Sequence, residues 1–297
     1  MNGTEVYVVY CFVEIQNNRF ERTTILKEDQ SLVIEDAIKN TRKILETHAS
    51  LAYVQDALKD FDVWSKMAKT GGEMITRNLH TAERFCRGFL FEFKTYLDHM
   101  QTMLSHTYGK ESQALTLFKN GTHDAYDNSP EYAFTYQLRN YAQHCENVVH
   151  SAGGNQCDVG VKPTSHSAKL LSEYKGWKDD EKQFISQRTA IDLLETFKKT
   201  YNALSYVHTP VIQYMLDHDN VSTDISYLRK WADWLTQTCD VHKEDIWYWH
   251  FAHILHNDGS EFTEKDYGND DGNRKYEVRV IDWGSLYALS DSLKPRI

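Results

Sequence analysis

Very little in this chain is able to stop a helix. Its 297 residues contain 4 prolines and 14 glycines, and because these two residue types are the strongest local interrupters of regular structure, long unbroken elements are expected. The clearest one follows Gly71-Gly72, where Phe85, Phe89, Phe93, Tyr96, Met100 and Met103 recur at spacings of three and four. That period predicts a helix over 73–107 with one apolar side. Similar patterns predict helices over 31–47, 49–68, 111–126, 130–146, 166–175, 178–187, 189–217, 222–237 and 242–256. Only the ends read differently. Residues 5–14 (EVYVVYCFVE) are rich in β-branched and aromatic side chains, and Asn17-Asn18 separates them from a second run through Leu26, the pattern of a hairpin. Tyr276–Trp283 alternates in the same way and is expected to pair with that hairpin. The fold class is therefore mainly α, a multi-helix bundle with a small β-sheet from the N- and C-terminal segments. The expected organisation is N-terminal strands and helices over 1–70, a helical core over 71–218, and C-terminal helices with a terminal strand over 219–297, or one compact domain. The stretches Ser151–Ser165 and Asn257–Lys275 read as loops.

Composition narrows the function classes. A 41% hydrophobic and 26% charged chain has the balance of a globular protein. The net charge of -10 argues against a broad non-specific nucleic-acid binder, since Lys and Arg on phosphates supply most of that affinity, but it permits a local basic patch. The 5 cysteines (Cys11, Cys86, Cys145, Cys157, Cys239) are scattered and contain no C-x-x-C pair, which points to a reducing cytoplasm rather than a disulfide framework. The apolar run Val6–Val13 is shorter than the roughly 20 residues of a membrane helix, so no membrane association is expected.

One helix carries a chemical signal. Ser129-Pro130-Glu131 supplies an N-cap, a proline at the first helical position and an acid in the first turn. At about 100° per residue, Phe134, Leu138, Tyr141 and Cys145 share a stripe assigned to the core. Tyr132, Tyr136, Asn140 and His144 form a ladder on the other side, with Arg139 and Gln143 beside it.

Arg139, the small polar Asn140, three further residues and His144 resemble the R-x4-6-H signature of the HEPN superfamily of α-helical nucleases. The likeness extends more loosely over 75–217, through FEFKTYLDH (Phe91–His99) and AYDNSPEY (Ala125–Tyr132). It implies a homodimer whose two motif helices meet across a cleft, an RNA substrate, no cofactor and no metal, and a toxin or anti-phage role with an antitoxin or regulatory partner. Some members lack catalysis and bind a protein or RNA partner as scaffolds. On the catalytic reading, His144 acts as general base or acid, histidine being the side-chain type that titrates near neutrality. Arg139 clamps the phosphate through its planar fork. Asn140 orients the imidazole or the phosphate. On a straight helix Arg139 and His144 stand about 140° apart, so they converge only around the helix or across a dimer.

Supporting residues lie on the long helix. Arg77, Arg84, Arg87 and Lys94 fall within about 100° of one another, a stripe suited to an RNA backbone or simply to solvent. Asp98 and His99 are auxiliary candidates, and Tyr136 and Tyr132 are placed to stack bases or to pack. His250, His253 and His256, with Cys239 and His242 upstream, raise a metal site, although helical i, i+3, i+6 spacing is poor for three ligands on one centre. No P-loop, dinucleotide-binding or nucleophile-elbow pattern occurs.

Overall fold

In the computed structural model the described residues are 7–14, 19–26, 28–69, 74–145, 147–153, 160–219, 250–256 and 274–280. The fold is mainly α. Chain order is β1 (Tyr7–Glu14), β2 (Arg19–Leu26), α1 (Glu28–Met67), α2 (Met74–Tyr108), α3 (Gln113–Asn128) and α4 (Pro130–His144). There follow β3 (Ser151–Gly153), β4 (Lys162–His166), α5 (Ser167–Glu173), α6 (Asp179–Ser186), β5 (Ala190–Asp192), α7 (Leu193–His218), β6 (His250–His256) and β7 (Arg274–Val280). Two compact units result, one of residues 1–46 and 216–297, the other of residues 47–215, and the division falls inside α1 and α7.

In the first unit the strands form one antiparallel sheet in the order β2-β1-β6-β7. The expected hairpin is present, with Tyr7 opposite Leu26 and Phe12 opposite Phe20. The C-terminal strand joins the same sheet through an intermediary: β7 pairs with β6, and β6 with β1, Val8 standing opposite Ala252. This corrects the reading of 242–256 as a helix, because residues 250–256 are extended. The segment is paired on both edges, by β1 and by β7, and those partners hold it extended. Cys239, His242 and the expected helix over 222–237 lie outside the described residues, as does the loop over 257–273.

The second unit is built on aromatic packing. Phe89, Phe93, Tyr96 and Met100 on α2 are buried, as the period requires. Phe89 stacks on Phe197 of α7 at 4.3 Å between centroids, and Phe93 meets Tyr132 of α4 edge-on at 5.3 Å. On its other side α4 packs Phe134 against Trp177 at 5.6 Å and Phe184 at 5.2 Å. Buried aromatics of this size each contribute on the order of 2–3 kcal/mol through burial alone. The segments read as separate helices over 31–47 and 49–68 are one helix, since nothing between them breaks it. Gly109, at φ 96°, closes α2 in the left-handed conformation, its N–H donating to the Ser105 carbonyl at 3.1 Å. A three-stranded antiparallel sheet, β3-β4-β5, replaces part of the expected Ser151–Ser165 loop and the first residues of the helix expected over 189–217. Its strands of three to five residues are too short to leave a period.

Within this core a chain of polar rings is buried. Tyr96 Oη lies 3.0 Å from His208 Nδ1, and His208 Nε2 lies 3.4 Å from His48 Nδ1. Burial, reinforced by the neighbouring His48, pushes the His208 ring down to about 3. Protonation therefore favours the unfolded chain, where the ordinary value is 6.5. The stability this neutral ring contributes is complete above that value and is lost as pH falls through the window between the two. We expect this ring to lower unfolding free energy by about 1 kcal/mol at pH 5.5 relative to neutral pH. Urea titrations of wild type and His208→Gln across this range check it: equal pH slopes would remove the assignment.

Candidate phosphate-binding groove

The motif helix begins as its sequence dictates. Ser129 Oγ accepts from the Tyr132 N–H at 3.3 Å, Pro130 occupies the first turn and Glu131 its acidic position. Its first half is enclosed almost all round, with Tyr132, Ala133, Phe134, Thr135 and Gln137 buried. Only the second half has a solvent face, carrying Arg139, Asn140, Gln143 and His144. Phe134, Leu138 and Tyr141 occupy the core side as expected, with Cys145 half-buried. Tyr132 does not reach a ligand face, because it is sealed against Phe93.

The last turn of α4 is tied down on two sides. From α2, the Arg87 guanidinium donates to the Ala142 carbonyl at 2.7 Å and to Glu83 Oε1 at 2.6 Å. Ala142 is among the last carbonyls of the helix, which have no partner within it, so Arg87 satisfies an otherwise orphaned acceptor. Glu83 in turn accepts from the Val149 N–H at 2.8 Å, holding the segment after α4. From the opposite side, Tyr141 Oη donates to Glu173 Oε2 at 2.5 Å, and this bond is the main reason the exposed Glu173 carboxyl sits below its usual range.

Between α2 and α4 these contacts leave a groove of about 410 Å³. Arg87, Leu90, Phe91, Lys94, Thr95 and Asp98 line it from α2, and Arg139, Ala142 and Gln143 from α4. The three cations differ. Arg87 is engaged by Glu83 and a carbonyl. Lys94 pairs with Asp98 one turn on, an exposed ion pair of the kind that contributes little. Arg139 contacts only neutral amides among the described residues, donating to Gln143 Oε1 at 2.5 Å and to Asn140 Oδ1 at 3.5 Å. Its charge is thus oriented by two amide oxygens and neutralised by no carboxylate among them. Such an arrangement is suited to an incoming oxyanion.

Of the residues singled out in the sequence, Arg139, Arg87, Lys94 and Asp98 meet in this groove. Asn140 and His144 do not line it. The Asn140 amide donates to Gln137 at 3.1 Å and accepts from Arg139, so it orients Arg139 rather than His144. His144 is exposed in the last helical turn, on the flank of α4 turned away from Gln143 by about 100°. Arg84 lies over the Phe85 ring at 5.4 Å, Tyr136 packs edge-on to Tyr126 at 5.8 Å, and His99 is exposed; none of the three lines the groove. Phe91 and Gln143 were not singled out as ligand-facing. The signal for Phe91 is its phase, two residues from both Phe89 and Phe93 and so opposite the apolar stripe of α2.

A second cavity of about 430 Å³ opens where α3, α4 and α6 meet. Asp127, Glu131, Asp180 and Glu181 line it, and Arg188 is its only cation. Its four carboxylates against one cation make this cavity less suited to an anion than the groove that holds Arg139. Among the described residues no three His, Cys, Asp or Glu side chains gather to hold a metal, and no helix is long and apolar enough to cross a membrane. No family model, curated protein or solved structure matches the chain.

Arg87 and Arg139 are expected to separate cleanly on mutation. Arg87→Ala removes the charged bond to the helix end and lowers unfolding free energy by about 1–2 kcal/mol. Arg139→Ala, at a half-exposed position with amide partners, changes it by less than about 0.5 kcal/mol. Chemical denaturation of both variants reads the difference, and equal losses would contradict these roles.

Proposed function

We propose that the chain is a metal-independent endoribonuclease of HEPN type, with Arg139 as phosphate clamp and His144 as the proton-transferring group. The observation carrying this reading is the Arg139 guanidinium, held by Gln143 and Asn140 at the wall of a groove and paired with no carboxylate among the described residues. The outward placement of His144 at the end of the same helix supports it.

The chemistry is an internal transesterification. The 2′-hydroxyl of the substrate gives its proton to an imidazole and forms a bond to phosphorus. The 5′-oxygen of the next nucleotide leaves and takes a proton from an imidazolium. The products are a 2′,3′-cyclic phosphate and a 5′-hydroxyl end, and the guanidinium stabilises the additional charge on the phosphorane oxygens. Because Arg139 and His144 project about 140° apart on α4, the site takes the form of two α4 helices from a homodimer, each copy supplying one imidazole. Toxin or anti-phage activity restrained by a partner is the biological setting this chemistry fits.

Purified protein is expected to cut RNA in EDTA, leaving cyclic phosphate ends. His144→Ala and Arg139→Ala are each expected to reduce the rate at least about a hundredfold, the scale of general acid–base and charge-stabilising contributions. Loss of cutting on chelation, or full activity of His144→Ala, refutes the mechanism. A scaffold that binds a protein through Arg139 instead gives no cutting at all and loses its complex in Arg139→Ala.

A further inference from the structure

Phe91 is 65% exposed although the neighbouring Phe89 and Phe93 are fully buried. A single exposed phenylalanine is ordinary on a protein surface. This one lies in the concave wall shared with Lys94 and Arg139. Most aromatic rings of the unit contact another ring or carry a cation, whereas among the described residues no ring or cation contacts Phe91, and unlike the exposed Tyr53 and Tyr206 it lines this groove. The groove thus presents an unoccupied π-face beside a guanidinium without a carboxylate partner, in a volume within the roughly 300–1,000 Å³ range of small-ligand sites.

We infer that Phe91 is a base-stacking platform and that the α2–α4 groove binds one unpaired nucleotide of a single strand, its base on Phe91 and its phosphate on Arg139. This rests on the phosphate-clamp part of the function proposed above and adds a recognition residue to it. An acidic peptide satisfies Arg139 and Lys94 but brings no planar group for Phe91. A duplex brings phosphates but keeps its bases stacked on one another. An unpaired nucleotide supplies both a π-face and an oxyanion, and aromatic stacking accepts any base. The Lys94–Asp98 pair brings a carboxylate to the same groove, which disfavours a second phosphate there.

The test uses the full chain carrying His144→Ala, so that binding is read without cleavage. Fluorescence anisotropy follows a labelled single-stranded RNA dodecamer and the same strand annealed to its complement. The single strand is expected to bind at least about ten times more tightly than the duplex. Phe91→Ala is expected to weaken single-strand binding about tenfold, and Phe91→Trp to preserve or improve it. Arg139→Ala is expected to weaken binding and reduce the salt slope by about one. Equal affinity for duplex, unchanged affinity of Phe91→Ala, or displacement of the RNA by a poly-glutamate peptide overturns the inference. So does a change of oligomeric state in Phe91→Ala, which assigns the ring to a subunit seam. RNA cutting that ignores Phe91 defeats this inference and leaves the nuclease reading intact; Phe91-dependent binding without cutting by wild type does the reverse.

Discussion

The bond from the Arg87 guanidinium to the Ala142 carbonyl, at 2.7 Å, decides where the candidate site stands. Helix ends fray unless their last carbonyls find partners, and the last turn of α4 carries Gln143 and His144 with Arg139 one turn earlier. Arg87 answers that need from α2, and Glu83 secures Arg87 at 2.6 Å while holding the Val149 N–H at 2.8 Å. A single i, i+4 ion pair on α2 therefore links three segments: the long helix, the end of the motif helix and the start of the chain beyond it. Tyr141 completes the clamp from the far side through Glu173. The groove is the space that this clamp leaves open.

A chain of net charge -10 has no reason to attract phosphate at long range. The two cavities described above divide that charge unequally. Beside α6 the carboxylates of Asp127, Glu131, Asp180 and Glu181 outnumber the one arginine, whereas between α2 and α4 three cations face one lining carboxylate. Two of those cations are already engaged with acids, which leaves Arg139 as the group whose charge an incoming anion completes. For an anion bound as proposed above, short-range geometry would govern affinity more than the overall field does.

What the sequence reveals follows from how each element is stabilised. The long helices were legible because α2 buries one stripe, Phe89, Phe93, Tyr96 and Met100, over enough turns for its period to emerge. The start of α4 was legible because Ser129 and Pro130 act locally. Residues 250–256 misled: histidines spaced by three imitate a helix face, and only partners from β1 and β7 make the segment a strand. The β3-β4-β5 sheet likewise exists through pairing at a distance. At the site, the meeting of Arg87, Lys94 and Arg139 combines a readable helix phase with an unreadable helix–helix contact. The basic stripe on α2 was visible, but that Arg87 and Lys94 share a groove with Arg139 while Arg77 and Arg84 do not depends on how α4 packs.

The angular separation of Arg139 and His144 shapes everything that follows from the motif. Arg139 and Gln143 are four residues apart and share the groove, while the step of five from Arg139 to His144 turns the imidazole about 140° away. One α4 therefore supplies one half of a site on each of two flanks: a guanidinium on the groove side and an imidazole on the other. In the homodimer proposed above, a two-fold axis between the two α4 helices would set the imidazole of each beside the guanidinium of its mate and make both halves equivalent. On that proposal, a signature that looks incomplete on a single helix is one half of a symmetric site. In that arrangement a guanidinium held in place by Gln143 and Asn140 is more useful than one free to swing, since two rigid clamps must address the same strand.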